Sequence, residues 1–374
     1  MNPVEWFLDL PGYARFLFAF TVPFVAVLIA TPLAIRVARR AGIMDHPASH
    51  KAHGEATPYL GGVAVGLGLA LFSTWGAQAS IRITAVLGTA LAMGILGLVD
   101  DLKGLGPVPK LSAEFLGGVV LYLAGVRVEL FGVPVLDLLL TTVWVMTVVN
   151  AVNLLDNSDG IAAGVVSMCA LGFAAIAGTN GNLLIMALAT AIMGASLGFL
   201  RYNAPPAKIF LGDAGSLMLG FLLAAISLGL NLVGRPGVVR VAIPILVLAV
   251  PLFDMAVVMT ARLRAGRPLY QGGMDHSAHR LLKLGVRPRR LVLIAMLAQA
   301  SCSAAGLFLS RAADLTVLIA WPVAIAIGVA TLVFLIRLEG AEERDHVPAM
   351  EQSPDIAGLS AVGDMTTGAL ETEA

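Results

Sequence analysis

Long apolar runs separated by short polar segments set the pattern of this chain. Runs able to cross a ~30 Å hydrocarbon layer, which takes about 20 helical residues, fall at 16–38, 59–79, 82–99, 111–125, 138–155, 160–178, 182–200, 213–233, 240–260, 290–310 and 315–337. The pattern predicts an all-α polytopic integral membrane protein with about 10–11 transmembrane helices. The first run lacks the basic start and small-residue cleavage site of a removable signal peptide, so it is expected to remain a true span. Residues 126–135 (VRVELFGVPV) alternate imperfectly around Gly132 and Pro134 and predict a small hairpin. After Arg337 the chain turns acidic and loses periodicity. The expected organisation is therefore one membrane domain, 1–337, and a disordered cytoplasmic tail, 338–374.

Composition sharpens this picture. Hydrophobic residues make up 58% and charged residues 13% of the chain, with a mean hydropathy of +0.88, well below the roughly 25% charged of soluble domains. Net charge is zero and no basic cluster marks a nucleic-acid footprint, so no nucleic-acid partner is expected. Cys169 and Cys302 both lie in apolar runs and read as small core residues, not as a disulfide framework or metal site. The location of charge is more informative than its sum. Placing the N-terminus outside puts Arg36, Arg39, Arg40, Lys51, Lys103, Lys110, Arg201, Lys208 and the basic residues of 262–290 on the cytoplasmic side. Arg15, Arg82, Arg127, Arg235, Arg240 and Arg311 remain opposite, and the positive-inside rule favours this orientation in an inner or plasma membrane.

On that topology the unusual polar stretches share the cytoplasmic face: LVDDLKGLGPVPK, NAVNLLDNSDGIAAG, RYNAPPAKIFLGDAGS and GRPLYQGGMDHSAHRLLKLG. Asp100, Asp101, Asp156, Asp159 and Asp213 would repel one another there unless a cation were held among them. Hard oxygen ligands with few histidines suit Mg2+, with Mn2+ as a substitute. Lys51, Lys103, Lys208 and Arg280 would draw anions to the same surface. FLGDAGS puts an acid and small residues at a helix start, where backbone amides can face a phosphate. His276 and His279, three apart, share a face if helical and reach leaving phosphates. Singly, DDLKG reads as a solvated helix end, GDAGS as a weak glycine-rich loop, and the histidines as loop residues. Asn150 and Asn153, preceding Asp156 within a lipid-compatible run, are hardest to explain that way. Together the stretches predict a cytoplasmic-face cleft for a diphosphate substrate.

With KAHGEATPYLGG, LVDDLKGL, NAVNLLDNSDGIAAG, FLGDAGSLMLGF and DHSAHRLLKLG in this order, the chain resembles the polyprenyl-phosphate N-acetylhexosamine-1-phosphate transferases. The resemblance implies transfer of a sugar phosphate from a UDP-amino sugar to a polyprenyl phosphate, with release of UMP. It further implies that Asp100 and Asp101 are the catalytic pair, the former as base or lipid-phosphate positioning group, and that Asp213 is the magnesium acid. It places Asn153, Asp156 and Asp159 in the nucleotide pocket, Phe210 over the uracil, Lys51 near the nucleotide, and His276 and His279 in the family's histidine loop. On this reading the polar side chains from Asn150 to Asp159 line a substrate cleft. Asn157 and Ser158 depart from the residues that many relatives carry between the paired acids. Ala278 interrupts the triple histidine, which points away from the muramoyl-pentapeptide branch and toward GlcNAc-1-phosphate transfer for cell-envelope polysaccharides. A homodimer is compatible with all of this. The rival from another class is a secondary transporter using Asp254, but no internal repeat supports it. A membrane scaffold would leave the polar motifs unexplained.

Overall fold

The computed structural model describes residues 10–45, 56–76, 81–230, 232, 234–270 and 273–345. In chain order these form α1 (Gly12–Ala41), β1 (Met44–Asp45), β2 (Thr57–Pro58), α2 (Gly61–Gly76), α3 (Ile81–Lys103), α4 (Pro107–Leu123), α5 (Pro134–Leu155), α6 (Ile161–Thr179) and α7 (Leu183–Asn203). There follow α8 (Gly212–Gly229), α9 (Gly237–Val247), α10 (Ala249–Arg264), α11 (Ser277–Lys283), α12 (Pro288–Arg311) and α13 (Asp314–Asp345). Each apolar run read from the sequence overlaps a described helix. Of the described helices, 8 are long and apolar enough to cross a membrane, or 9 if α9 and α10 form one bent span. The chain is an all-α, multi-pass membrane protein. The remaining apolar helices are shorter: α2 has 16 residues and α4 has 17.

The run at 240–260 is broken by 80° between α9 and α10. Pro251 has no N–H for Val247 and its ring crowds that carbonyl, so α9 cannot continue. Gln299 on α12 satisfies the backbone groups freed at the break: its Nε2 donates to the Val247 carbonyl at 2.8 Å, and its Oε1 accepts from the Val250 amide at 3.1 Å. Irregular backbone inside an apolar layer requires such a partner.

Residues 126–135 do not form the expected hairpin. Asp137 Oδ1 accepts from the Leu130 and Phe131 amides at 3.2 and 3.0 Å, and Thr141 Oγ1 accepts from Val128 at 3.1 Å. Side chains of α5 thus take the donors that a strand ladder would have used. The two-stranded sheet that does form pairs β1 with β2 antiparallel, Met44 opposite Pro58 and Asp45 opposite Thr57. At the other end of the chain α13 continues past Arg337 to Asp345, and residues 346–374 lie outside the described residues.

Burial ranks the helices from centre to rim. The apolar windows of α6 and α8 are each 78% buried, whereas those of α1 and α13 are 22% and 11% buried and turn Ile29, Leu33, Ile319 and Ile327 outward. Central α8 packs between α3 and α5. Gly97 of α3 permits this approach: a Cβ there would stand 2.2 Å from the Asp213 carbonyl oxygen. The end of α3 and the start of α8 are therefore held backbone to backbone.

Candidate active site

The close packing at Gly97 delivers Asp101 to the first turn of α8. Its Oδ1 accepts from the Asp213 amide at 2.8 Å and its Oδ2 from the Ala214 amide at 3.1 Å. Gly212, at φ 70°, makes the turn into the helix, and its amide donates to Asp156. A helix start leaves unpaired N–H groups and a partial positive charge. Here carboxylates of the protein itself take those donors. The expectation that these amides face a phosphate is thereby corrected, since Asp101 and Asp156 already occupy them.

Asp100, next in sequence to Asp101, points elsewhere. Its Oδ1 accepts from the Leu105 amide at 2.6 Å and its Oδ2 from Lys110 Nζ at 3.0 Å. The same Nζ lies 3.0 Å from Asp213 Oδ2, so one ammonium bridges the two carboxylates. Asp213 Oδ1 accepts from Asn153 Nδ2 at 2.8 Å, and that amide also donates to Ser216 Oγ at 2.9 Å. All three charged groups remain partly open, with side-chain exposures of 24% for Lys110, 13% for Asp100 and 24% for Asp213. This arrangement can hold a cation between two carboxylates while leaving room for a ligand to reach it. Among the described residues no group of three or more His, Cys, Asp or Glu is arranged to hold a metal unaided. Mg2+ needs only one or two carboxylates when phosphate and water complete its shell.

Lys110 and Glu114 were not singled out from the sequence as site residues. They lie four apart on α4 and so share its face. Glu114 is 1% exposed and accepts from Asn150 Nδ2, which also donates to the Met146 carbonyl at 2.8 Å. The detectable signal was a lone acid in an apolar run, which needs a partner. That partner came from α5.

Asp156 and Asp159 sit on the turn between α5 and α6. The Asp156 carboxyl is pushed well above its ordinary range, first by withdrawal from solvent and then by the charges of Asp213, Asp101 and Asp159. Asp159 Oδ2 accepts from the Ala207 amide at 2.9 Å and so positions the segment leading to α8. Asn203 supports the same segment, accepting from Gly160 at 3.0 Å and donating to the Ile209 carbonyl at 2.9 Å. Phe210 is stitched to β2 by its amide, 2.8 Å from the Pro58 carbonyl, and its ring meets Tyr59 edge-on at 6.2 Å. Burial, and then the charges of Asp45, Asp101 and Asp213, raise the Tyr59 phenol above its usual range. Asn157 and Ser158 bond locally, to the Leu154 carbonyl and to each other. Lys51 lies outside the described residues.

The histidine segment forms a second cluster. His276 Nδ1 is 2.9 Å from Asp254 Oδ2, and Ser277 donates through its amide to Asp254 Oδ1 at 2.8 Å. His276 is 4%, His279 6% and Arg280 6% exposed. The histidine rings meet edge to face at 5.8 Å, and burial, followed by the neighbouring charge of His276, pushes the His279 imidazole downward. Arg280 donates to the Asp275 and Leu335 carbonyls. Among the described residues no hydrogen bond or ion pair joins these histidines directly to Asp100 or Asp213. Asp254, which suggested an ion path, has His276 and Ser277 as partners.

Along 290 residues the chain is 33% identical to the probable undecaprenyl-phosphate N-acetylglucosaminyl 1-phosphate transferase of Bacillus subtilis, covering 75% of this chain and 81% of that protein. The chain belongs to glycosyl transferase family 4. The family model itself matches residues 83–231, a stretch of this family-4 protein that contains Asp100, Asp101, Lys110, Asn153, Asp156 and Asp213. The decaprenyl-phosphate N-acetylglucosaminephosphotransferase of Mycobacterium tuberculosis is 33% identical over 342 residues, covering 80% of this chain and 84% of its own. A phospho-N-acetylmuramoyl-pentapeptide-transferase of Streptococcus pneumoniae is 34% identical over 238 residues, covering 56% of this chain and 72% of its own.

Proposed function

We propose that this family-4 protein transfers GlcNAc-1-phosphate from UDP-GlcNAc to a polyprenyl phosphate at the cytoplasmic face of the cell membrane. An oxygen of the lipid phosphate attacks the β-phosphorus, the bond from that phosphorus to the α-phosphate oxygen breaks, and UMP leaves. A polyprenyl-diphosphate-GlcNAc remains in the membrane, ready for cell-envelope polysaccharide synthesis. The observation carrying this reading is the Lys110 ammonium shared by Asp100 and Asp213 at one end of a multi-pass bundle. Two carboxylates that already grip a cation suit chemistry between anionic phosphates. The N-acetylglucosamine phosphotransferases named above match more of the chain than the muramoyl enzyme does.

The donor set fits Mg2+, with Mn2+ as a substitute, held by Asp213 and Asp100. Such an ion neutralises phosphate charge and polarises phosphoryl oxygens. The protein's own groups account for the rest. Asn153 fixes the rotamer of Asp213 through its amide. Asp101 holds the first turn of α8, and with it the Asp213 backbone. Lys110 can turn from the carboxylates to an incoming phosphate, easing the approach of one anion to another. The lipid phosphate is largely ionised at neutral pH, with a second pKa near 6, so an obligatory base is not needed.

The test incubates purified protein with polyprenyl phosphate, Mg2+ and a panel of UDP-sugars while UMP is measured. UMP release with UDP-GlcNAc that requires the lipid phosphate is the expected result. Release only with the UDP-muramoyl-pentapeptide would move the protein to that branch, and no release with any donor would refute the transferase reading.

A further inference from the structure

A cavity lies at the end of the bundle opposite Asp213. Its volume is about 640 Å3 and its walls come from α2, α3, α5, α7, α8 and α9 together with residues 125–130. Asp213 and the cavity-lining Ala225 are twelve residues apart on α8, roughly 18 Å at 1.5 Å per residue. The cavity is therefore distinct from the acid cluster. Its interior is aliphatic and aromatic, with Phe72, Val86, Leu188 and Ile226 among its walls. The Trp144 ring is fixed in the wall by its Nε1, which donates to Ser227 Oγ at 2.8 Å.

The charged lining is lopsided: Arg82, Arg127 and Arg240 face the cavity, against Glu129 alone. Arg127 is ion-paired with Glu129 at 3.0 Å. Arg240 donates to the Glu129 carbonyl at 2.8 Å, but its buried Nε has no hydrogen-bond partner. The Arg82 guanidinium lies over the turn at Gly125, 3.4 Å from where a Cβ would stand. Neither Arg82 nor Arg240 has a carboxylate partner among the described residues. A cavity of this size is in the range of ligand sites, and its contents must be apolar over most of their length and anionic at one end.

We propose that this cavity binds an anionic phospholipid, with an acyl chain among the apolar walls and its phosphate between Arg82 and Arg240. The acyl chain gains little from the hydrophobic effect, because the bilayer it leaves is equally apolar. Affinity must then come from the arginines, and the site should discriminate by headgroup charge. Basic residues near the membrane surface favour anionic lipid, so two arginines give a preference of roughly tenfold or more over a zwitterionic lipid.

Trp144 reports occupancy directly. The full chain carrying Trp6→Phe, Trp75→Phe and Trp321→Phe is placed in phosphatidylcholine nanodiscs, and Trp144 emission is followed as lipids brominated in their chains are added. Brominated phosphatidylglycerol is expected to quench saturably at roughly a tenth of the mole fraction that brominated phosphatidylcholine needs. Arg82→Gln with Arg240→Gln should bring the two lipids together while leaving UMP release unchanged, since neither residue belongs to the acid cluster. Equal quenching by both lipids before any arginine is changed, or no quenching by either, overturns the proposal without reference to the double variant. Unchanged selectivity in a folded, active double variant overturns it as well.

Discussion

Asp101→Asn is the sharpest probe of how the adjacent acids divide their labour. In the protein both Asp101 oxygens accept from amides at the start of α8, at 2.8 and 3.1 Å. Hydrogen bonds to a charged group contribute about 1.5–3 kcal/mol each, against about 1 kcal/mol for a neutral pair. Asparagine keeps one acceptor, loses the charge that complements the helix dipole, and turns an NH2 toward a backbone N–H. The expected loss is about 2–3 kcal/mol, which reduces the population of correctly seated α8 starts roughly 30- to 150-fold relative to its competitors. Because Asp213 lies in that turn, stability and turnover should fall together. Asp100→Asn should behave differently, impairing the chemical step more than UDP-GlcNAc binding and lowering the unfolding temperature less than Asp101→Asn does, because an asparagine Oδ1 can still accept from the Leu105 amide. The assay pairs thermal unfolding in detergent with single-turnover UMP release and titration with UDP-GlcNAc. An Asp101→Asn protein that unfolds at the wild-type temperature yet fails only in the chemical step would refute the capping role and make Asp101 a reacting group.

Further outcomes follow from the same geometry. Asp213→Asn should abolish turnover while leaving the protein folded in the membrane; near-wild-type rates at both limiting and saturating Mg2+ would remove it from the metal site. Lys110→Met should lower the Mg2+ concentration giving half-maximal activity, because no ammonium then competes for Asp100 and Asp213, and should lower kcat; an increased Mg2+ requirement would contradict this. Asp254→Ala should cost about 1–3 kcal/mol by leaving the buried donors of His276 and Ser277 without their acceptor, which denaturant unfolding measures, and an unchanged midpoint would show that the contact is not structural. His279 binds its proton less readily folded than unfolded, so its contribution is complete above the ordinary histidine value near 6.5 and declines as pH falls below it. His279→Gln should flatten that decline in an unfolding series, whereas an unaltered pH slope would exclude His279 as its source.

The apolar runs were legible because crossing a bilayer demands length and hydropathy, both of which are local properties. The break at Leu248 was not, since its cost is relieved by Gln299 on a distant helix. The acids of DDLKG, NLLDNSD and GDAGS stood out as polar residues in apolar surroundings, but their roles are set by direction, which adjacency in sequence leaves open. Asp100 faces Lys110 while Asp101 faces the α8 amides. Lys110 itself was read only as a positive-inside charge, because a lysine at a helix flank has that meaning until two carboxylates from elsewhere meet it. The hairpin expectation at 126–135 failed for the related reason that Asp137 and Thr141 offered the backbone acceptors closer than a partner strand.

The bond from Arg280 Nη1 to the Leu335 carbonyl, 2.8 Å long and spanning 55 residues, has a bearing on when the protein can first work. During synthesis at roughly 5–20 residues per second, the histidine segment leaves the ribosome several seconds before its anchor exists. Its final arrangement must wait until α13 has been made and laid against α10. Incomplete chains, even those already carrying the whole acid cluster, would lack this anchor, so maturation of the histidine cluster waits for the synthesis of α13.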